Sequence, residues 1–349
     1  MRRIAVLGYG RFGRALAELL LDAGLDVVAH DPRAEIPAER RAPSAIEAVK
    51  GADAVVLAMP VPAMRTALEA IAPALTPEQL VLDVGSVKVR PVAAMDAVLG
   101  DRIPWVGTHP LFGPTSLALA ERPLRVVICP NPRHPSAATR ARALYERIGC
   151  WTLEQDAAAH DKAMAETHAL AFYVAKGMLD AGVDTRVPYA PPSFQAIART
   201  VDVVRSDAGH LFAAIQAENP YARDARRRLL EALTAVDATL ALDRDLPSDE
   251  ITLAIPEAPA QPQSDELRET RDAIDAVDRE IIALLSRRAE LSRRAGKAKA
   301  RIGAPVHDQA REAQVLAARR AQAEEQGLDP ESIEDVFRAV LRLSRRTQA

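Results

Sequence analysis

The residues best placed to do chemistry lie in the last third of the chain, where cationic and polar side chains occupy helix positions that should be apolar. From Val277 the periodic positions run Val277, Ile281, Leu284, Arg288, Ser292, Ala295 and Lys299, in steps of four and three, the period of one helix face. A second stripe reads Ile333, Phe337, Val340, Ser344 and Gln348. Burying a guanidinium or ammonium without a partner is costly, so a helix that aims Arg288 and Lys299 along its core face has something anionic to hold there. Asp308, Arg311 and Glu312 share a face between the two stripes, and Arg271 leads a related one with Ile274, Asp278 and Ile281. Arg, Lys, Ser and Gln converging from two helices make a pocket for a small, multiply charged anion.

A second constellation sits near the start. Gly8-Tyr9-Gly10-Arg11-Phe12-Gly13 follows an apolar run and precedes a helical pattern, the strand-turn-helix context in which G-x-G-x-x-G binds a dinucleotide. Gly8 permits the turn, Gly10 lets the backbone approach a pyrophosphate, and Gly13 allows close packing of the helix whose N-terminus faces the anion. Asp31, ending the second apolar run, is positioned to accept hydrogen bonds from an adenosine ribose, which favours NAD; Arg33 leaves NADP open. Two further loops follow strands on the same edge, one with Ser86 and Lys88, the other with His109 in Gly107-Thr108-His109-Pro110-Leu111-Phe112-Gly113-Pro114. Ser86 and His109 can both face a nicotinamide there, and a neutral imidazole is a natural proton acceptor near pH 7. Lys88 reads as orienting the loop or a substrate, or as a solvated lysine. His160 and Asp161 read as a helix cap.

These groups need elements to hold them. Short β-branched runs (Ile4–Leu7, Val27–His30, Ala54–Ala58, Leu80–Asp83, Arg125–Cys129) alternate with helical patterns over residues 1–155, which indicates a doubly wound parallel sheet. Residues 156–245 read as long helices, and 246–265, with Pro247, Pro256, Pro259 and Pro262, as a linker before the helical segment 266–349. With 349 residues, 48% of them hydrophobic, the chain can build two or three cores. A net charge of −3 gives no general pull toward nucleic acid or membrane, and the basic final segment is interleaved with acids and nearly devoid of aromatics to stack bases. Two cysteines, Cys129 and Cys150, suggest neither a disulfide framework nor a metal site. No run approaches the ~18 apolar residues of a membrane span, and Gly8 interrupts the apolar start too early for a signal peptide, so a cytoplasmic location is expected.

The stretches ETRDAIDAVDREIIALLSRRAELSRRAGKAKA, APVHDQARE and FRAVLRLSRRTQ resemble the all-helical chorismate mutase domain of bacterial enzymes that feed tyrosine and phenylalanine synthesis. That resemblance implies conversion of chorismate to prephenate. Arg288 and Arg271 would clamp the carboxylates, Arg271 from the partner subunit of an intertwined homodimer. Lys299 and Gln348 would donate to the ether oxygen. Glu312 and the backbone near Asp308 would hold the ring hydroxyl, and Arg311 and Ser344 would complete the carboxylate contacts. The Ser86–Lys88 and His109 motifs, with His160-Asp161-Lys162-Ala163-Met164-Ala165, resemble prephenate dehydrogenases. This second resemblance implies an NAD-binding Rossmann domain over 1–155, a helical dimerisation and substrate domain over 156–245, and oxidative decarboxylation to 4-hydroxyphenylpyruvate. His109 would take the hydroxyl proton, with Ser86 bonding the same hydroxyl or orienting the imidazole. Where relatives carry Gln and His near the substrate side chain this chain has His168 and Phe172. The family's carboxylate-binding Arg falls on Val203, with Arg199 and Arg205 nearby. Together the resemblances imply a bifunctional enzyme of tyrosine biosynthesis. The alternatives are the same folds acting on arogenate or a 4-amino-4-deoxy analogue, or an NAD-binding regulatory protein with a helical dimerisation tail.

Overall fold

Seven short runs, buried and apolar except toward the sheet edges, pair into one sheet. In the computed structural model, which describes residues 1–118, 123–206, 210–242, 266–302, 305 and 308–348, they are β1 (Arg3–Leu7), β2 (Asp26–His30), β3 (Ala54–Leu57), β4 (Leu80–Asp83), β5 (Trp105–Pro110), β6 (Leu124–Cys129) and β7 (Cys150–Glu154). The strand order is β2-β1-β3-β4-β5-β6-β7. Strands β3, β4 and β5 are buried along their whole length, as central strands covered on both faces must be.

The expected Rossmann-type sheet is present, with one refinement. Strand β6 runs antiparallel to β5, and β7 parallel to β6, so the last two strands oppose the first five. A parallel crossover usually carries a helix of its own. Between β5 and β6 the described connection holds only α5 (Pro114–Ala118), five residues, against the 12 of α1 (Arg11–Asp22) between β1 and β2. The pairing also draws Gly107–Pro110 into β5, with His109 opposite Val127; the sequence had suggested a loop there.

The helices follow their apolar periodicity. In α1 the buried residues Gly13, Leu16, Ala17 and Leu20 form one face. Helices α2 (Ala45–Val49), α3 (Val61–Ile71), α4 (Val89–Leu99) and α6 (Pro135–Arg147) complete the sheet layers. Beyond β7 come α7 (Ala157–Met164), a π-helical turn Ala165–Ala169 running straight into α8 (Leu170–Asp180), then α9 (Pro192–Ser206), α10 (His210–Ala213), a second π turn Ala214–Glu218, and α11 (Ala222–Leu242). A separate core of Ala169, Phe172, Ala175, Val201, Val204, Ile215 and Ala222 holds these helices together.

The chain divides into two compact units, residues 1–114 with 124–254, and residues 115–123 with 255–349. The suggested linker, 246–265, lies outside the described residues. The second unit contains α12 (Glu266–Arg301), α13 (Gln309–Glu325) and α14 (Pro330–Gln348), and α14 packs on both others. Gly327, at a φ of 69°, ends α13, and Asp329 starts α14 by accepting the Ser332 N–H at 2.8 Å.

One buried ion pair fixes the end of the sheet. Asp83 closes β4 and Lys88 precedes α4; both side chains are fully buried and bonded to each other. The Lys88 ammonium also donates to the Thr108 carbonyl at 2.5 Å, and the Asp83 carboxylate accepts the Gly85 and Thr108 N–H groups at 2.9 and 3.2 Å. Burial pushes the Asp83 carboxyl up, and Lys88 with these backbone donors opposes that push. Lys88 is therefore neither solvated nor turned toward a substrate: its charge is spent inside the protein. Lys88→Met should cost about 3–5 kcal/mol, because it strands a buried carboxylate, and Lys88→Met with Asp83→Asn should cost less. Trp105 and Trp151, the only tryptophans, both belong to this unit, so fluorescence-monitored urea unfolding reads the effect.

Candidate active sites

At the carboxyl ends of β4 and β5 a chain of three side chains runs through the protein interior. His109, 3% exposed, places Nδ1 2.9 Å from Nε2 of His160. His160, fully buried on α7, places its own Nδ1 2.8 Å from Oδ1 of Asp161, also fully buried. That carboxylate further accepts the Lys88 N–H at 2.7 Å and the Val89 N–H at 2.8 Å. The Asp161 carbonyl accepts from Asn219 Nδ2 at 2.8 Å. The helix-cap reading of His160 and Asp161 is thus corrected. Helix α7 is capped by Asp156, which accepts the Ala158 and Ala159 N–H groups at 2.9 and 3.1 Å. Asp161 instead caps α4, which has no local side-chain cap.

Burial, then the neighbouring His160, Lys88 and His168, holds the His109 pKa well below the usual imidazole range, so the ring is neutral near pH 7. His168 lies in the first π turn and stacks on His109, with centroids 6.5 Å apart and planes 11° apart; Phe172 meets His168 edge-on at 4.6 Å. Burial also depresses His168, with His160 adding to the effect. Ser86 is half-buried in the loop between β4 and α4, and no hydrogen bond joins it to His109 among the described residues. The group that orients the imidazole is His160. Arg199 and Arg205 are both exposed on α9, and Arg205 is bonded to Asp202 and Thr185 at 3.0 and 3.2 Å.

The glycine turn keeps the geometry that a dinucleotide needs. Gly8 has a φ of 98°, and a Cβ there would sit 2.3 Å from the Ala58 carbonyl oxygen; a Cβ on Gly13 would sit 2.1 Å from the Gly8 oxygen. Above Gly10 nothing lies within 4 Å. Helix α1 starts at Gly10 with no side-chain cap and no acid in its first turn, leaving its N–H groups for an anion. Tyr9 is buried and its N–H donates to Asp31 at 2.7 Å, while Arg11 is exposed and Phe12 half-buried against Phe112. Asp31 also accepts the Arg33 and Ala34 N–H groups at 2.8 and 3.0 Å. Partial burial raises its pKa, but the three backbone bonds outweigh burial and hold it below the usual carboxylate range. The turn and the ionised Asp31 fit a dinucleotide with a free ribose.

In the second unit the structure brings Arg288 and Ser344 together. The half-buried guanidinium donates to the buried Ser344 hydroxyl and, at 3.4 Å, to the Val340 carbonyl; burial and nearby Arg319 lower its pKa. Ser292 is buried on the same face of α12 and Lys299 is half-buried. Glu312 pairs with Arg345 at 2.6 and 2.7 Å, a partner the sequence reading had missed. Asp308 caps α13 by accepting the Arg311 N–H at 2.9 Å, and the exposed Arg311 side chain meets Gln314 at 3.4 Å. Arg271 and Gln348 lie on α12 and α14, but their side chains lie outside the described ones. The first half of the α12 stripe is not a core face within one chain: Val277, Ile281 and Leu284 are 54%, 48% and 60% exposed. At 1.5 Å per residue, the 36 residues of α12 span about 54 Å and the 19 of α14 about 28 Å, so α14 covers only part of its partner.

Known proteins match both units. The family model for the nucleotide-binding domain of prephenate dehydrogenase matches residues 27–149, and that for type II chorismate mutase matches residues 270–349. A curated 4-amino-4-deoxyprephenate dehydrogenase from Streptomyces pristinaespiralis is 31% identical over 247 residues, 65% of this chain and 81% of that protein. A protein named T-protein from Enterobacter agglomerans is 47% identical over 79 residues, 23% of this chain and only 21% of its own length. Among solved structures, a prephenate dehydrogenase from A. aeolicus in complex with hydroxyphenyl propionate and NAD+ superposes with a TM-score of 0.56 at 18% identity, covering 80% of this chain and 98% of that one. That likeness is one of fold.

Two imidazoles with depressed pKa, the buried His109 and the half-buried His168, make stability depend on pH. Below about 6.5 the unfolded chain takes up protons that folded His109 and His168 refuse, so stability falls with pH, by up to about 1.4 kcal/mol per unit and per group. The melting temperature of the first unit should drop between pH 7 and pH 5, and the drop should shrink in His109→Asn. An unchanged slope in that variant would show that the ring is not held neutral.

Proposed function

This chain belongs to the prephenate dehydrogenase family and joins an NAD-dependent oxidoreductase to a type II chorismate mutase domain; we propose that the two units act in sequence in tyrosine biosynthesis, in the cytosol, the second making prephenate and the first converting it to 4-hydroxyphenylpyruvate and carbon dioxide. The observation that carries this reading is the buried, neutral His109 beside the strand ends where a dinucleotide is held. NAD, when bound, supplies the hydride acceptor. As hydride leaves the ring carbon, His109 Nε2 takes the proton of the hydroxyl on that carbon. Loss of carbon dioxide makes the ring aromatic, and the proton returns to the phenolic oxygen. Ser86 lines the same edge and bonds the hydroxyl. Asp31 favours a free ribose over a 2′-phosphate, hence NAD over NADP.

Chorismate rearranges without a nucleophile or base, so the second unit has only to position and to stabilise charge. Arg288, held by Ser344 and Val340, grips a carboxylate; Lys299 and Gln348 serve the ether oxygen; and Glu312, braced by Arg345, takes the ring hydroxyl. The exposed Val277, Ile281 and Leu284 need cover, which a second copy supplies in a homodimer that also brings Arg271 to its partner's pocket. The Streptomyces relative favours one second reading, that the substrate carries an amino group in place of the hydroxyl.

His109→Ala should lower NADH formation from prephenate by about 10²–10⁴-fold and leave chorismate consumption intact, while Arg288→Ala should do the reverse. In the wild type the acid limb of kcat/KM for prephenate should lie below the ordinary imidazole range, because the active base is the depressed, unprotonated His109. Comparing kcat/KM on prephenate and 4-amino-4-deoxyprephenate separates the two readings. For the dimer, Leu284→Glu should yield monomers by sedimentation and lose mutase activity; a variant that stayed dimeric and active would remove α12 from the interface.

A further inference from the structure

Asp161 and His160 reach the reacting atoms only through His109, and their geometry dictates where its proton sits. A carboxylate can only accept, so His160 must present Nδ1–H to Asp161, across 2.8 Å. With one proton on the ring, His160 Nε2 is bare and can only accept, so His109 presents Nδ1–H to it across 2.9 Å. What remains is a lone pair on His109 Nε2. We propose that Asp161 and His160 are positioning residues that hold His109 in the tautomer able to take a proton, and that the same carboxylate locks the Ser86 loop in register with it.

The second half of the proposal rests on the backbone donors. Asp161 spends one bond on His160 and two on the N–H groups of Lys88 and Val89, at the start of α4 and two and three residues beyond Ser86. The imidazole chain and the serine loop thus hang from one buried anion, which Asn219 holds in place through the Asp161 carbonyl. The groups facing this chain from the surrounding elements are Asp83 at the end of β4, Lys88 from the β4–α4 loop, Cys129 from β6, His168 from the π turn and Tyr145 from α6 by way of Thr108. Lys88 is already neutralised by Asp83, so Asp161 is the anion left to share the charge when His109 takes a proton. No oxidant or further reactant is needed, since one proton moves to His109 Nε2 and later returns.

The proposal rests on His109 being the base, and the test keeps the two apart. In Asp161→Asn an amide NH2 turned toward His160 donates to its Nδ1, giving up the Lys88 N–H bond that the same oxygen accepts; this switches the tautomer of both rings and puts the His109 proton on Nε2. Prephenate kcat should then fall about 10²–10⁴-fold, with KM and NAD affinity within about threefold, and activity should recover partly at high pH. His160→Gln, whose amide oxygen still accepts from His109 Nδ1–H, should retain about tenfold more activity than His160→Phe. A merely structural role predicts equal losses in the two His160 variants and an unshifted pH profile, and that result overturns the proposal. Because a variant can fail to fold, the wild type supplies an independent reading: ¹⁵N spectra of the holoenzyme should show a bare Nε2 on His109. A proton on Nε2 there overturns the tautomer assignment even if His109→Ala abolishes turnover. Loss of the base reading itself would appear as full activity in His109→Ala.

Discussion

Charge kept out of water at the carboxyl ends of β4 and β5 is the constraint around which the first unit is organised. Two carboxylates, Asp83 and Asp161, are fully buried there, and each is surrounded by donors. Asp83 is matched by an ammonium and Asp161 by two helix N–H groups and an imidazole. An ionised carboxylate in such a place is tolerated only when its lone pairs are filled. Filling them ties β4, β5, α4 and α7 into one arrangement. The sheet edge that would receive a nicotinamide is therefore rigid before any ligand arrives, as a site with developing charge requires.

Much of this was legible from residues alone, and the failures have physical causes. The glycine turn could be read because a strand, a tight turn and a helix must be contiguous in sequence. The mutase stripes could be read because helical periodicity is local. His160 and Asp161 could not, because a short polar pair at a helix start looks like a cap, and the donors that Asp161 satisfies lie 72 and 73 residues away. Lys88 was open to misreading because a lysine near a loop is usually solvated; its partner Asp83 is five residues back, across a turn whose shape the sequence does not state. Strand β7 escaped notice because it is an edge strand, with Trp151 68% exposed, and lacks the unbroken apolar run of its neighbours.

The α12 stripe shows where periodicity misleads. It identifies which residues share a face, but not what covers them. Arg288 meets α14 at Ser344 and Ser292 is buried, whereas Val277, Ile281 and Leu284 on the same face remain open within one chain. An apolar stripe left open within its own chain bears on assembly as well as on the core.

The two units face opposite electrostatic demands, and their residue choices follow. The proposed dehydrogenase site needs a group that is uncharged until it acts, and burial, which holds His109 neutral, suits that role. The mutase site needs cations that survive partial burial. Desolvation lowers Arg288 as well, but a guanidinium starts so far above neutral pH that it keeps its charge, where an imidazole would lose it. The same desolvation therefore keeps an imidazole neutral in one unit and is withstood by a guanidinium in the other. The proposed roles thus set histidines in the first site and arginines in the second, and an Arg288→His exchange would remove the charge that the second is proposed to hold.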